Sequence, residues 1–371
     1  MKLQSLGLYL HVPFCASKCK YCDFYSLAAP GRMDAYLDAM CREIAAWGGR
    51  CKGTRVDTVY FGGGTPSLLG GNRLVRLMHA LAGAFDIDGD AEITVECNPD
   101  SMDGALLHDL RAAGVNRLSI GVQSAHDDEL RMLGRRHTFA GARRAIEEAC
   151  CYGFQNLSLD LMYALPGQDT ARLLESVRAL LAFDPAHLSC YALKVEPGTP
   201  FDRENVIQPD EDEQADMYLA LCDTLRQAGY EHYEISNWAK PGFRARHNSR
   251  YWDLSEYLGI GPSAHSLLHG RRFAYGRSLD GFLAGERPEA EEEVDGFSSA
   301  SEFLMLALRT SDGIVPETFE RRFGVSFAPY AERLRFFAPH GLTVLENGRW
   351  RLTEQGFLLS NSILTDILSA Q

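Results

Sequence analysis

Short runs of apolar, β-branched and aromatic residues punctuate the first half of the chain, at residues 7–12, 56–61, 93–97, 117–122, 157–162 and 188–193. Runs this short, bounded by polar and glycine residues, read as strands of a buried sheet. Between them apolar residues recur at helical spacing over 33–47, 74–85, 104–113, 139–152 and 171–183. A sixth such stretch, 212–228, ends at Gly229, a residue suited to the left-handed position after a helix. Six strand-then-helix units imply a parallel sheet joined by right-handed crossovers, either doubly wound or a partial barrel. Polar and glycine residues gather just after the strands: Cys15 to Cys22, Gly62 to Thr65, Glu96 and Asn98, Gln123 and Ser124, with Asp160 inside the fifth strand and Lys194 beyond the sixth. Parallel α/β folds place ligands at the carboxyl ends of strands, so these groups are expected to converge on one mouth. The expected fold class is α/β, a partial (β/α)6 barrel.

Residues 286–297 break the pattern. Six of the ten residues from 286 to 295 are acidic with no apolar period, which predicts a solvated acidic linker between a first unit, 1–285, and a second, 298–371. In the second unit helical spacing over 303–309, 316–323 and 329–337 precedes two short strands around an Asn347-Gly348 turn and a last helix capped by Thr353. This order predicts a small C-terminal winged-helix-like α+β domain. It holds seven arginines and no lysine against eight acidic residues, so structural support, and not DNA reading, is its expected role.

Composition narrows the function classes. Thirty-seven basic and fifty acidic side chains give a formal charge of -13, a poor basis for coating nucleic acid or an anionic membrane. No apolar run approaches the ~20 residues needed to cross a bilayer. The opening residues pass straight into the first strand without a signal-peptide core, so a cytoplasmic protein without direct membrane insertion is expected.

Three of the ten cysteines, Cys15, Cys19 and Cys22, fall within eight residues on the loop after the first strand. Structural zinc takes four protein ligands, and with no second cysteine or histidine pair downstream it would need His11 or a remote cysteine. A [4Fe-4S] cluster on three thiolates instead leaves one iron open to a ligand. The spacing C-x3-C-x2-C, with Tyr21 before the last cysteine, resembles the radical S-adenosylmethionine (SAM) superfamily, in which SAM chelates that open iron. Further motifs carry the resemblance along almost the whole chain: Gly62-Gly-Gly-Thr-Pro-Ser67, Glu96-Cys-Asn-Pro99, Ser119-Ile-Gly-Val-Gln-Ser124, Asp160-Leu-Met-Tyr-Ala-Leu-Pro-Gly167, His247-Asn-Ser-Arg-Tyr-Trp252 and Gly259-Ile-Gly-Pro-Ser-Ala-His265. Together they resemble the oxygen-independent coproporphyrinogen III oxidase-like family and, within it, its haem-chaperone branch.

The resemblance implies a cluster on Cys15, Cys19 and Cys22, bound SAM and an electron donor. It implies SAM contacts from Gly63, Gly64 and Thr65 at the methionine end, and from Glu96, Gln123, Arg135 and Asp160 to ribose hydroxyls, carboxylate and ammonium. Tyr9 and Tyr21 would cover the cofactor, with Ala192 and His265 near the adenosyl group. Glycines after a strand also let backbone approach closely, which would turn their amides toward a ligand; a plain tight turn is the other reading. The alternative function is oxidative decarboxylation of coproporphyrinogen III by a 5′-deoxyadenosyl radical. Against it, Phe24 stands where the oxidases carry a further cysteine.

The segment from His247 to Trp252 resembles the chaperone branch and implies haem as cargo. His247 would be the axial ligand, with Asn248 beside it, Tyr251 and Trp252 stacking on the macrocycle, and Arg244, Arg246 or Arg250 meeting propionates. The plain reading is a histidine hydrogen-bonded inside a loop. No C-x2-C-H occurs, so attachment of the cytochrome c kind is not expected. The implied partner is a haem-acceptor protein, with a respiratory enzyme suggested by the resemblance.

Overall fold

Strand and helix alternate in chain order: β1 (Leu6–Val12), α1 (Met33–Arg50), β2 (Arg55–Gly63), α2 (Gly71–Ala84), β3 (Asp86–Cys97), α3 (Gly104–Ala112), β4 (Arg117–Gln123), α4 (Asp127–Met132), α5 (Phe139–Cys151), β5 (Asn156–Tyr163), α6 (Thr170–Leu181) and β6 (His187–Ala192). The structure is a computed structural model and describes residues 5–293 and 296–369. The six strands are parallel neighbours in sequence order, and the register sets Tyr9 beside Tyr60, Tyr60 beside Thr94, Thr94 beside Arg117 and Arg117 beside Asn156. Along β4 and β5 the outward positions Leu118, Ile120, Val122, Leu157, Leu159 and Leu161 are buried in the main apolar core. The intervening positions, Arg117, Ser119, Gly121 and Gln123 on β4 and Ser158, Asp160 and Met162 on β5, line a cavity on the inner face. Period-two alternation thus sends apolar groups to the core and mostly polar groups to the lumen. Helix starts are fixed locally: Asp103, Thr138 and Asp169 accept from backbone N–H groups of α3, α5 and α6.

Beyond β6 follow α7 (Pro200–Glu204), α8 (Glu211–Gln227), β7 (Glu231–Glu234), β8 (Asn237–Ala239), α9 (Arg246–Asp253), β9 (Tyr257–Ile260), β10 (His265–Leu268), β11 (Arg271–Ala274), α10 (Leu279–Ala284) and β12 (Glu289–Glu293). β9 runs parallel to β1 on its free side, and β10, β11 and β12 continue antiparallel; β8 and then β7 extend the sheet past β6. The twelve-stranded sheet is open, with β12 and β7 at its edges. Strands of three to five residues carry too little periodicity to be read from sequence, and these six are made by pairing onto a sheet already formed.

The acidic stretch is corrected by this arrangement. Five residues of the expected linker form the edge strand β12, whose register sets Glu293 opposite Arg271 and Glu292 opposite Arg272.

The C-terminal part contains α11 (Gly296–Ala307), α12 (Pro316–Phe323), α13 (Ala328–Phe337), the hairpin β13 (Thr343–Glu346) and β14 (Arg349–Leu352), then α14 (Glu354–Leu358) and α15 (Ser360–Leu368). Asn347 and Gly348 both have positive φ, 50° and 74°, as a two-residue hairpin turn requires. This part packs against the sheet edge at β7. Ser311 N–H donates to Tyr233 O at 2.9 Å, Ile235 N–H to Arg309 O at 3.0 Å, and Arg226 pairs with Glu354.

Candidate functional site

The loop between β1 and α1 brings Cys15, Cys19 and Cys22 to the carboxyl end of the parallel strands, where all three are half-buried and unpaired in disulfides. Backbone bonds pin the loop: Cys15 N–H to Leu27 O, Lys20 N–H to Leu133 O, and Phe201 N–H to Lys20 O, each at 3.1 Å. Burial raises the Cys22 thiol, and the adjacent Cys19 and Cys15 add to the rise. A cationic metal centre reverses that penalty, so three crowded, half-buried thiols on one loop fit a metal cluster. His11 does not serve as a fourth ligand here. Its Nδ1 meets the Tyr9 hydroxyl and its Nε2 the Tyr25 carbonyl, both at 3.0 Å.

The cysteines border a cavity of about 590 Å³. Tyr21, Gly63, Gly64, Thr65, Glu96, Gln123, Arg135, Asp160 and Ala192 all line it, so with the three cysteines twelve strand and loop positions separated by up to 177 residues share one chamber with Asn98 and Tyr191. Arg135 ties loop to sheet: Nη2 donates to Asn98 Oδ1 and to Gly121 O, each at 2.7 Å, and Nη1 lies 3.6 Å from Cys19 Sγ. Gln123 adopts φ 71°, and its Oε1 accepts from the Tyr191 hydroxyl at 2.9 Å. That left-handed backbone at a non-glycine residue turns the strand end over the cavity.

Glu96 accepts from the Tyr60 hydroxyl at 2.8 Å and from Gly63 N–H at 3.1 Å, yet burial still raises its carboxyl. Asp160, hydrogen-bonded by Ser119 Oγ at 3.2 Å, is pushed up to about 7 by burial and by the charge of Glu96. Between them stands Arg117, which sequence reasoning passed over. It is 1 % exposed, and neither Nε nor Nη1 has a hydrogen-bond partner among the described residues. Its charge opposes the rise at both carboxyls. The signal for it was present: Arg117-Leu-Ser-Ile-Gly-Val-Gln123 alternates strictly, which places the arginine on the lumen face.

Three expectations are corrected. The glycine amides are not turned outward: Gly63 N–H serves Glu96, Gly64 N–H serves Val12 O at 2.8 Å and Thr65 N–H serves Phe14 O at 2.7 Å. Glycine is required there because a Cβ on Gly64 would lie 2.6 Å from Phe14 O, so the segment's task is to seat the cysteine loop. Tyr9 and His265 do not join the cluster cavity either. They line a second cavity, of about 310 Å³, with the Tyr9 ring stacked on Tyr60, which lines the cluster cavity.

The third correction concerns His247. It is 0 % exposed, with Nδ1 2.9 Å from Thr58 Oγ1 and Nε2 3.0 Å from the Tyr251 hydroxyl, and burial pushes its imidazole down to about 3. Both ring nitrogens are committed, so the side chain presents no lone pair to an iron in this conformation. The backbone N–H groups of His247 and Arg246 donate to the buried Glu92 carboxylate, which anchors the start of α9 under the sheet. The nearby arginines are also engaged: Arg250 with Asp57 and Ser5, Arg246 with Asp90 O, Arg244 with Asp312. Asn248 borders the cluster cavity, Tyr251 the second cavity, and Trp252 is half-buried outside both.

An open α/β sheet whose first loop sets three cysteines at the mouth of a polar lumen defines a radical SAM protein. The radical SAM superfamily matches residues 9–180, and the HemN C-terminal domain matches 299–359. The heme chaperone HemW of Lactococcus lactis subsp. lactis is 35% identical over 97% of this chain and 96% of its own length; that of Escherichia coli is 35% identical over 98% of each, and that of Bacillus subtilis 34% identical over 96% and 97%. In fold the chain is similar to the E. coli coproporphyrinogen III oxidase HemN, a radical SAM enzyme, with a TM-score of 0.86 at 24% identity over 98% of this chain and 90% of that one. The chain belongs to the HemW family. Among the described residues no helix is long and apolar enough to cross a membrane.

Proposed function

We propose that this protein is a cytoplasmic haem chaperone, which binds haem and passes it to an acceptor protein, and which carries a [4Fe-4S] cluster with SAM beside it. The observation that carries the reading is similarity over essentially the full length, not over one domain, to relatives named as heme chaperones. Cys15, Cys19 and Cys22 would hold the cluster, whose open iron supplies a chelation point for an amino acid group. Glu96, Gln123, Arg135 and Asp160 line the space next to it and offer two acceptor carboxyls, an amide and a guanidinium to SAM. Thr65, 3.5 Å from Cys15 Sγ, and Arg135 hold the thiols in place. Phe24, 69% exposed at the cavity mouth, puts an apolar ring where the decarboxylating branch would have a thiol.

The test is anaerobic haem titration of cluster-reconstituted protein, followed by incubation with an apo-haemoprotein. Saturable one-to-one binding and transfer to the acceptor are expected. Weak, unsaturable binding would sink the reading and turn attention to coproporphyrinogen turnover with SAM and a reductant. Replacing any one of Cys15, Cys19 and Cys22 by Ser is expected to abolish most of the iron and sulfide incorporated on reconstitution, read by metal analysis.

A further inference from the structure

Away from the lumen, the seam where the C-terminal part meets the sheet edge holds a second set of metal-ligating side chains. Cys222 on α8, His232 on β7 and Glu354 at the start of α14 bring a thiol, an imidazole and a carboxylate together, with their donor atoms all within 4.8 Å of one another. Cys222 is fully buried, and the side chains of His232 and Glu354 are 8% and 29% exposed. Rings hold the imidazole in place: Trp238 stacks on it at 4.2 Å and Phe357 meets it edge-on at 5.3 Å. Its Nδ1 is buried without a hydrogen-bond partner among the described residues, 3.7 Å from Glu354 Oε1. A buried ring nitrogen without a partner is costly, and one that stands beside a carboxylate and a thiol points to a cation between them.

We infer that Cys222, His232 and Glu354 form a zinc site that fastens the C-terminal part to the edge of the sheet. Thiolate sulfur, ring nitrogen and carboxylate oxygen are the donors zinc takes. A thiolate and a carboxylate cancel the charge of a divalent ion, and the thiol's proton leaves to solvent as the metal binds. Tetrahedral zinc spaces its donors about 3.5 Å apart, so the set closes on it with side-chain shifts of about an ångström. The groups behind the ligands are of the kind that orients them. The Tyr218 hydroxyl, one helical turn before Cys222, lies 3.5 Å from His232 Nε2 and faces the Cys222 sulfur. Arg226, itself paired with Asp223, binds Glu354 Oε2, which leaves Oε1 for the metal. Three protein ligands leave a fourth position, and the partly exposed Glu354 gives it a way to solvent. The site is separate from the haem and cluster chemistry, since none of its ligands lines the cluster cavity. The competing arrangement is a plain ion pair of His232 with Glu354 backed by Arg226, which would take up no zinc.

The experiment is an anaerobic zinc titration of the cluster-reconstituted full chain, with zinc and iron per chain measured by plasma emission after gel filtration. One zinc per chain is expected with the iron content unchanged, together with a raised Tm. Cys222→Ala and Glu354→Gln are each expected to weaken zinc by at least roughly tenfold and to remove the rise in Tm. With Co²⁺ in place of zinc, a thiolate charge-transfer band is expected that Cys222→Ala lacks. The chain with Cys15, Cys19 and Cys22 all replaced by Ser is expected to keep its one zinc. Circular dichroism checks folding, and Glu354→Gln, at a partly exposed position, carries the test should Cys222→Ala not fold. No zinc on the reconstituted wild type, zinc taken up only as iron is lost, or wild-type affinity in either folded variant overturns the inference. None of these outcomes touches the haem reading, which stands or falls on its own titration.

Discussion

Asp160 shows how one residue's chemistry is set by its neighbours. Its carboxyl is held at about 7, far above the ~3.9 of an unfolded aspartate. The folded chain therefore keeps a proton that the unfolded chain releases, and stability is lost as pH rises from ~4 toward 7. Asp160→Asn removes that cost. In cluster-free protein it is expected to raise Tm by a few °C at pH 7.5, with the gain shrinking toward pH 5, in thermal melts across that range; a pH-independent difference would refute the account. The lumen position of Asp160 was legible, since Ser158, Asp160 and Met162 alternate with leucines. Its raised carboxyl was not, because that depends on burial in the assembled lumen and on the charge of Glu96 from another strand, against the opposing charge of Arg117.

At the scale of elements, α9 and the segment after β2 hold structure together at the groups that motif reading assigned to ligands. The segment His247 to Trp252 is legible as a motif, but a motif does not say which way a helix rolls. Here Glu92 and Thr58 bind the helix from β3 and β2 and turn His247 inward. His247→Ala strands two hydroxyls and opens a small cavity, so unfolding free energy is expected to fall by about 2–3 kcal/mol, read from urea titration. An unchanged midpoint would remove its structural role. Gly64→Ala would drive a Cβ against Phe14 O. It is expected to displace the cysteine loop, so that less iron is retained per chain after reconstitution while the helical CD signal is largely kept.

For the whole molecule, buried histidines dominate the response to acid. Burial lowers His11 and His137 to about 4 and His247 to about 3, and holds His187 well below its ordinary value. Each contributes stability that is full above the unfolded value near 6.5 and is lost as pH falls toward the folded value. Asp160 and Glu234, both raised to about 7 by burial, work in the opposite sense and offset part of it. The balance at pH ~5.5 is an uptake of roughly one to two protons on unfolding. Cluster-free protein is expected to lose stability steadily from pH 6.5 to 5 in denaturant titrations; a flat profile would show that these imidazoles are solvated.

The sequence by itself determined the six β/α units, the C-terminal helices and hairpin, and the chamber around Cys15, Cys19 and Cys22. Those features rest on local periodicity and on loops that follow parallel strands, both written in consecutive residues. Only the tertiary structure decided what depends on register and helix roll. It made an acidic stretch the edge strand β12, bound the amides of Gly63, Gly64 and Thr65 to Glu96, Val12 and Phe14, and parted Tyr9 and His265 from the cluster cavity. It also closed His247 behind Tyr251 and set Arg117 between Glu96 and Asp160. Each of these is settled by contacts between residues distant in sequence, whose energies no local pattern contains.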